Sequence, residues 1–238
     1  MRKTAVTLVL VLCTKFALAQ NTIPTIEIAT VEKHLYTLAS DAMEGRKAGT
    51  PGIEKAAQYI ETVFEDIGLT TYNDLPTYRQ NFKAIGLDLF NVIGVLEGKS
   101  KKNEFVVISA HYDHLGVKKE GRGDLIYNGA DDDASGTTAV LTLAQYYKEL
   151  DANERTLIFV AFTAEEMGLL GSRHFGEDVD ASQFIAGINI EMIGKDSSYG
   201  PNTAWLTGFD RSDFGTIIQK NLTGTSYTVH PDPYPEQN

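Results

Sequence analysis

Two adjacent glutamates, Glu165 and Glu166, close the apolar run "LIFVAFTA" and precede a glycine-punctuated turn, "MGLLGS". Like charges side by side repel, and each carboxylate costs free energy to desolvate. The pair therefore calls for a positive partner or a shared proton. Similar chemistry recurs where other apolar runs end. "VVISAHYDH" delivers His111 and Asp113, "GINIEMIG" carries Glu191, and "NGADDDASG" sets Asp131, Asp132 and Asp133 before a helical pattern. Imidazole and carboxylates from three strand ends and one loop are the ligand set of zinc or a similar ion. Two ions a few ångströms apart would account for the glutamate pair. One carboxylate binds metal, and its neighbour stays free to take a proton from activated water.

Each residue also has a plainer role open to it. His111 alone could be a core or surface histidine. Asp132 or Asp133 could cap the helix that follows. Glu165 and Glu166 could start a loop or lie in the first turn of a helix, where acidic groups suit the dipole. Glu191, inside an apolar run read as a strand, fits a plain role less well, because a buried carboxylate needs a partner. "DDDASG" opens like a calcium loop, but its twelfth position is Thr142 instead of glutamate, which rules that reading out.

The elements that must position these residues follow from periodicity. Residues 27 to 40 carry a helical face of Ile28, Val31, Leu35 and Leu38. "DAMEGRKAGTPG" is then a loop, and Ile53, Ala57, Ile60, Phe64 and Ile67 mark a second helix stopped by Gly68. "LFNVIGVLEG" and "EFVVISAHYD" are β-branched and aromatic runs that read as neighbouring strands. A loop of about twenty residues follows, long enough to suggest a functional one. Next come a helix from Ala134 to Leu150, the strand "RTLIFVAFTA", the short helix "GSRHFGEDV" and the strand "FIAGINIEMIG". "TAWLTG" reads as a further strand and residues 211 to 222 as a helix. Alternation of this kind predicts an α/β protein, a three-layer α/β/α sandwich with a mostly parallel mixed central sheet. Ligands in such sheets bind outside the carboxyl ends of the strands, where the acidic residues and His111 fall.

The 238 residues are compatible with one domain, and the net charge of −11 argues against nucleic acid or an anionic membrane as the main partner. Arg2 and Lys3, an apolar run and Ala17-Leu18-Ala19 predict a signal peptide over residues 1–19. The run is too short to span a bilayer, and bulky Leu12 speaks against a lipid anchor on Cys13. The mature chain, residues 20–238, is thus expected to be exported to the periplasm or the exterior. It would carry no membrane anchor and no cysteine, since Cys13 is the only one.

Taken in order, "SAHYDHLG", "NGADDDASGTTAVLTLA", "FTAEEMGLLGS" and "INIEMIG" resemble the exported di-zinc aminopeptidases of the MH clan. The upstream "LASDAMEGRKAGTPGIEKAAQYIETVFEDIGL" is similar to their bacterial members. That clan also holds glutamate carboxypeptidase, glutaminyl cyclase and the metal-free ectodomain of the transferrin receptor. The resemblance runs from about Glu32 to the C-terminus and implies a zinc-peptidase (phosphorylase/hydrolase-like) fold acting on peptide substrates. It implies two Zn2+ ions: His111 and Glu191 on one, Glu166 on the other, and Asp132 bridging both. Many relatives have aspartate at the position of Glu191. Glu165 would be the general base, Asp113 would orient His111, and the Asp132–Asp133 peptide would be cis.

The resemblance also calls for a histidine far downstream to complete the second ion. Of the remaining histidines, His34 is expected on the surface of the first helix, His114 to shape the pocket only, and His174 to lie in the short helix after the glutamates. His230, in a Pro-rich segment, stands short of the ligand region. The chain stops at Asn238 before the fold's last strands and helix, so the resemblance implies an incomplete C-terminus and little or no peptidase activity as it stands. Glutaminyl cyclase chemistry on a single zinc, or a non-catalytic binding module, are the alternatives.

Overall fold

The computed structural model describes residues 23–234. The expected signal peptide and Cys13 lie outside the described residues. Helix α1 (Ile28–Leu38) buries Leu38 and His34, whereas Ile28 stays exposed. The surface position expected for His34 is therefore corrected: its Nδ1 lies 2.8 Å from the Tyr59 hydroxyl and the ring is 3% exposed. Helix α2 (Pro51–Ile67) starts with proline at its first position, where no amide hydrogen is needed. It ends at Gly68, whose φ of 76° lets its amide reach the carbonyls of Phe64 and Glu65.

Next along the chain come β1 (Thr70–Thr71), β2 (Arg79–Ala84), β3 (Leu87–Leu96) and β4 (Lys101–His111). The expected long loop holds a small hairpin of β5 (Gly116–Val117) and β6 (Ile126–Tyr127). Helix α3 (Gly136–Leu150), β7 (Arg155–Phe162), α4 (Leu170–Asp178) and β8 (Phe184–Asn189) complete the layered region. Beyond it, β9 (Thr203–Leu206) and β10 (Thr228–Pro231) form a two-stranded parallel sheet, with α5 (Phe214–Asn221) between them in sequence.

The central sheet runs β1-β3-β7-β4-β8, with β2 also on β3. It is mixed. β4 pairs in parallel with β7 and β8, whereas β3 pairs antiparallel with β1, β2 and β7. The parallel character expected from the alternation thus belongs to the three strands that carry the candidate site. The strands β3 and β4 are not neighbours, contrary to expectation, because β7 lies between them. The reason is burial: Thr156 to Ala161 are buried on both faces of β7, and a strand apolar on both sides belongs in the middle of a covered sheet. The β3–β4 connection is accordingly tied to the start of β7. The Gly98 amide donates to Thr156 Oγ1 at 3.0 Å, and the Lys101 amide to the Glu154 carbonyl at 2.8 Å. A side chain at Gly98 would come within 2.4 Å of that carbonyl, so only glycine permits the approach.

On one face Leu157, Phe159 and Ala161 pack with Val92, Ile108 and Ala110 against the apolar sides of α1, α2 and α3. On the other face Ile158 and Val160 pack with Ile93, Val107 and Phe175 of α4. These are the three layers. Among the described residues no helix is long and apolar enough to cross a membrane.

Candidate metal centre

Parallel registry brings the carboxyl ends of β4, β7 and β8 together. His111 stands opposite Phe162 and Ser109 opposite Asn189, and the Ile190 amide still donates to the Ser109 carbonyl at 2.8 Å. Just past these ends the chain turns sharply. Ala164 (φ 53°) and Met192 (φ 50°) take the left-handed conformation beside Glu165 and Glu191. Such a conformation is unfavourable for a side chain with Cβ and persists only where the surroundings hold it.

Two groups of metal-ligating side chains result, and they share one residue. His111, Asp132 and Glu191 each offer one donor atom, all within 4.8 Å of one another, and so do His114, Asp132 and Glu166. His111 Nε2 lies 3.1 Å from Asp132 Oδ1. His114 Nδ1 lies 2.8 Å from Glu166 Oε1 and 3.9 Å from Asp132 Oδ2. These separations are short, yet both ring nitrogens are buried and make no hydrogen bond. A buried imidazole nitrogen facing carboxylate oxygens without a hydrogen bond is costly as it stands. A divalent cation between the groups removes that cost, and nitrogen-plus-carboxylate is the donor chemistry zinc takes. The residues present fit the metal.

Glu191 departs from the sequence reading. Strand β8 ends at Asn189, so Glu191 is an exposed residue of the following segment and not a buried one inside the strand. It still reaches the donor group. Glu165 is half-buried, and burial raises its carboxyl above the usual range. Nearby His111 opposes that shift, while the charges of Glu191, Asp113 and Glu166 add to it.

The three consecutive aspartates do three jobs. Asp131 Oδ1 accepts the Gly194 amide at 2.8 Å, and Oδ2 lies 3.1 Å from Lys195 Nζ. Asp132 faces the histidines. Asp133 is fully buried; it accepts the amides of Gly136 (2.9 Å), Met192 (3.2 Å) and His111 (3.3 Å), fastening α3, the segment after β8 and β4 together. Burial pushes the Asp133 carboxyl up to about 7 against the pull of His111 and these amides. The Asp132–Asp133 peptide is cis.

Asp113 is 1% exposed and does more than face His111. Its carboxylate is 3.6 Å from His111 Nδ1, which is nearer, at 3.1 Å, to the Asp113 main-chain carbonyl. The same carboxylate accepts the amides of Glu165 at 3.0 Å and Glu166 at 3.3 Å. Burial alone would lower the His111 pKa. Asp113, Asp133 and Glu165 outweigh it and hold the ring up to about 9, a measure of the negative field here.

Sequence reasoning passed over two contributors and gave a third, His114, only the shaping of the pocket. Arg46, inside the segment read as a plain loop, is fully buried and donates to four main-chain carbonyls: Leu38 (2.6 Å), Tyr112 (2.9 Å), Asn128 (2.6 Å) and Gly129 (2.9 Å). Burial brings its pKa down to about 10, with Asp113, Asp133 and Asp132 opposing. Asn91 on β3 is also fully buried; it accepts the Thr163 amide and donates to the Gly171 carbonyl, clamping both ends of the turn that carries Glu165 and Glu166. Neither position has a local signal, since both act through main-chain groups distant in sequence. His114 did have one, its spacing of three from His111. Elsewhere, His174 stacks on Phe82 at 4.5 Å and His230 on Tyr199 at 4.2 Å, so neither joins the two donor groups.

A layered α/β fold with paired imidazole–carboxylate groups at the strand ends is that of a metallopeptidase-type protein. Residues 91–238, well over half of the chain, match Peptidase family M28, and the chain belongs to that family. It is 32% identical over 108 residues to "Aminopeptidase YwaD" of Bacillus subtilis, covering 44% of this chain and 22% of that protein. It is 28% identical over 166 residues to a "Probable zinc metalloprotease" of Pyrenophora tritici-repentis, covering 67% of this chain and 38% of that one. The chain thus spans well under half the length of these two relatives. A leucine aminopeptidase precursor from Bacteroides thetaiotaomicron shares the fold, with a TM-score of 0.69 at 18% identity, covering 89% of this chain and 78% of that one.

Proposed function

We propose that this chain carries the catalytic centre of a zinc-dependent exopeptidase that hydrolyses N-terminal peptide bonds, residues 20–238 forming one catalytic domain. The observation that supports it most is that two three-residue donor groups share Asp132 at the ends of parallel strands. In this reading His111, Asp132 and Glu191 hold one Zn2+, and Asp132 and Glu166 hold a second. Zinc held there would supply a lowered pKa for a coordinated water, toward about 7, and would stabilise negative charge developing on the scissile carbonyl oxygen.

The protein's own groups do the rest. Glu165, made more basic by burial, takes the water proton and returns it to the leaving amine. Asp113 keeps Glu165 and Glu166 in place through their amides and orients His111. A free substrate amine would meet the carboxylates of the site, which favours cleavage at an N-terminus. Export to the periplasm or exterior, with removal of residues 1–19, belongs to the same proposal.

The test is Glu165→Gln in the zinc-loaded protein, assayed on aminoacyl-nitroanilides and free peptides. Whatever turnover the wild type shows should fall by about 10²- to 10⁴-fold, the usual worth of a general base, with zinc content unchanged. Loss of zinc would make Glu165 a ligand instead. Formation of pyroglutamyl peptides in place of free amino acids would favour the single-zinc cyclase reading.

A further inference from the structure

We propose that Gln80 and Asp178 act through Asn91 as positioning residues for Glu165 and Glu166, so that a carboxylate at the end of α4 helps to fix the loop after β7. This rests on the roles proposed above for the two glutamates. The residues themselves stand on β2, β3 and α4 and belong to neither donor group.

The loop between β7 and α4 is pinched at its neck. The Gly171 amide donates to the Thr163 carbonyl at 3.0 Å. Asn91 takes the two groups left over: its Oδ1 accepts the Thr163 amide at 3.1 Å, and its Nδ2 donates to the Gly171 carbonyl at 2.9 Å. Only glycine fits at this crossing, because a Cβ on residue 171 would lie 2.3 Å from Asn91 Oδ1 and 2.4 Å from the Thr163 carbonyl oxygen.

A side-chain amide can be turned over, exchanging its acceptor for its donors. What sets the direction here comes from farther out. Asn91 stands opposite Gln80 in the β2–β3 pair, and its Nδ2 also donates to Gln80 Oε1 at 2.9 Å. Gln80 Nε2 in turn donates to Asp178 Oδ2 at 3.1 Å. A carboxylate accepts and does not donate. Asp178 therefore selects the NH2 end of Gln80, which turns the Gln80 oxygen toward Asn91. That oxygen keeps the Asn91 NH2 group away from the Thr163 amide. Reversing either amide would set donor against donor or acceptor against acceptor. Gln80 is 4% exposed and Asn91 fully buried, so water has little access to repair such a mismatch. Asp178 is the one link open to solvent. The loop is thus held twice, by Asp113 at the Glu165 and Glu166 amides and by Asn91 at the neck. Functional groups need such support to stay within about 0.5 Å of a working geometry.

The experiment compares the intact wild type with Gln80→Leu, Asp178→Ala and Asp178→Asn by amide hydrogen exchange and by titration with Co2+. In Gln80→Leu and Asp178→Ala the Thr163 and Gly171 amides should exchange at least about tenfold faster, while those of Ile108 and Ile158, in the middle of β4 and β7, keep their wild-type rates. Asp178→Asn retains an acceptor oxygen and should restore the wild-type pattern. Co2+ affinity should fall about tenfold in Gln80→Leu, the lower end of what losing an orienting partner costs, with a change in the visible absorption of the bound ion. Unchanged exchange at the loop in either variant would overturn the inference. So would faster exchange spread equally over β4 and β7, or Co2+ affinity and absorption in Gln80→Leu that match wild type. If Gln80→Leu does not fold, the Asp178 pair carries both measurements. A wild type that binds no Co2+ would sink the function reading instead, and the exchange rates would still decide whether the relay orders the loop.

Discussion

Asp113, two residues past the end of β4, holds Glu165, three residues past the end of β7: its Oδ1 accepts the glutamate's amide at 3.0 Å. The same carboxylate takes the Glu166 amide and stands 3.6 Å from His111 Nδ1. One side chain therefore sets the position of a proposed base and a proposed ligand by their main chain. Asp113→Asn retains a single acceptor and turns an NH2 group toward an amide or the imidazole. Zinc affinity should fall by about 10- to 100-fold, the typical cost of losing a residue that orients ligands. Isothermal titration of wild type and variant checks it; equal affinity would mean that Asp113 does not shape the ligands.

Gly129 is a position where a single methyl group should harm the centre directly. It has φ of 57°, and a Cβ would lie 2.3 Å from the Asp132 carbonyl oxygen and 2.5 Å from His114 Cδ2. Gly129→Ala should lower metal binding by both donor groups, since both use Asp132. Gly123→Ala is the control: its φ is also positive (84°), but nothing lies within 4 Å of the added carbon. The control should cost about 1 kcal/mol of stability and leave metal content intact. Metal analysis after dialysis distinguishes the two.

Arg46 joins α1, the end of β4 and the loop before Asp131 through four carbonyls that no other side chain serves in the same way. Arg46→Met would leave the Leu38, Tyr112 and Asn128 carbonyls without their donor, at about 1–3 kcal/mol for each that water cannot reach, whereas the Gly129 carbonyl keeps the Ala134 amide at 3.1 Å. Urea unfolding should register a loss of at least about 3 kcal/mol, or no folded protein. A loss under about 1 kcal/mol would show that water replaces the guanidinium freely.

His34 provides the pH dependence away from the metal centre. Burial first, and then the charge of Lys33, lower its pKa to about 4 from the ordinary 6.5. The folded state therefore favours the neutral ring. Its contribution to stability is complete above pH 6.5 and is lost as pH falls toward 4, because the unfolded chain takes up the proton first. Nε2 is buried without a partner, so the imidazolium has no nearby acceptor there. His34→Gln should flatten the stability-versus-pH curve between pH 7 and 4 by an amount on the order of 2 kcal/mol. Parallel curves for variant and wild type would show that the ring titrates freely.

Much of this centre could be read before any coordinates. Glu165, Glu166, His111 and Asp113 stand at the ends of short apolar runs rich in β-branched and aromatic residues, a pattern that reads as a covered strand whose ends face solvent or a ligand. The limits of α2 were equally legible, because Pro51 and Gly68 act through their own backbone chemistry. Local periodicity reports which side of an element is apolar, and that is a property of consecutive residues. It does not report which strands become neighbours: β7 entered between β3 and β4 because it is buried on both faces once the helices are in place. Nor could spacing divide the labour among Asp131, Asp132 and Asp133, or assign Arg46, Asn91 and His114. The work of each depends on which amides, carbonyls and carboxylates arrive from segments up to about eighty residues away, and only the folded chain brings those atoms within hydrogen-bonding reach.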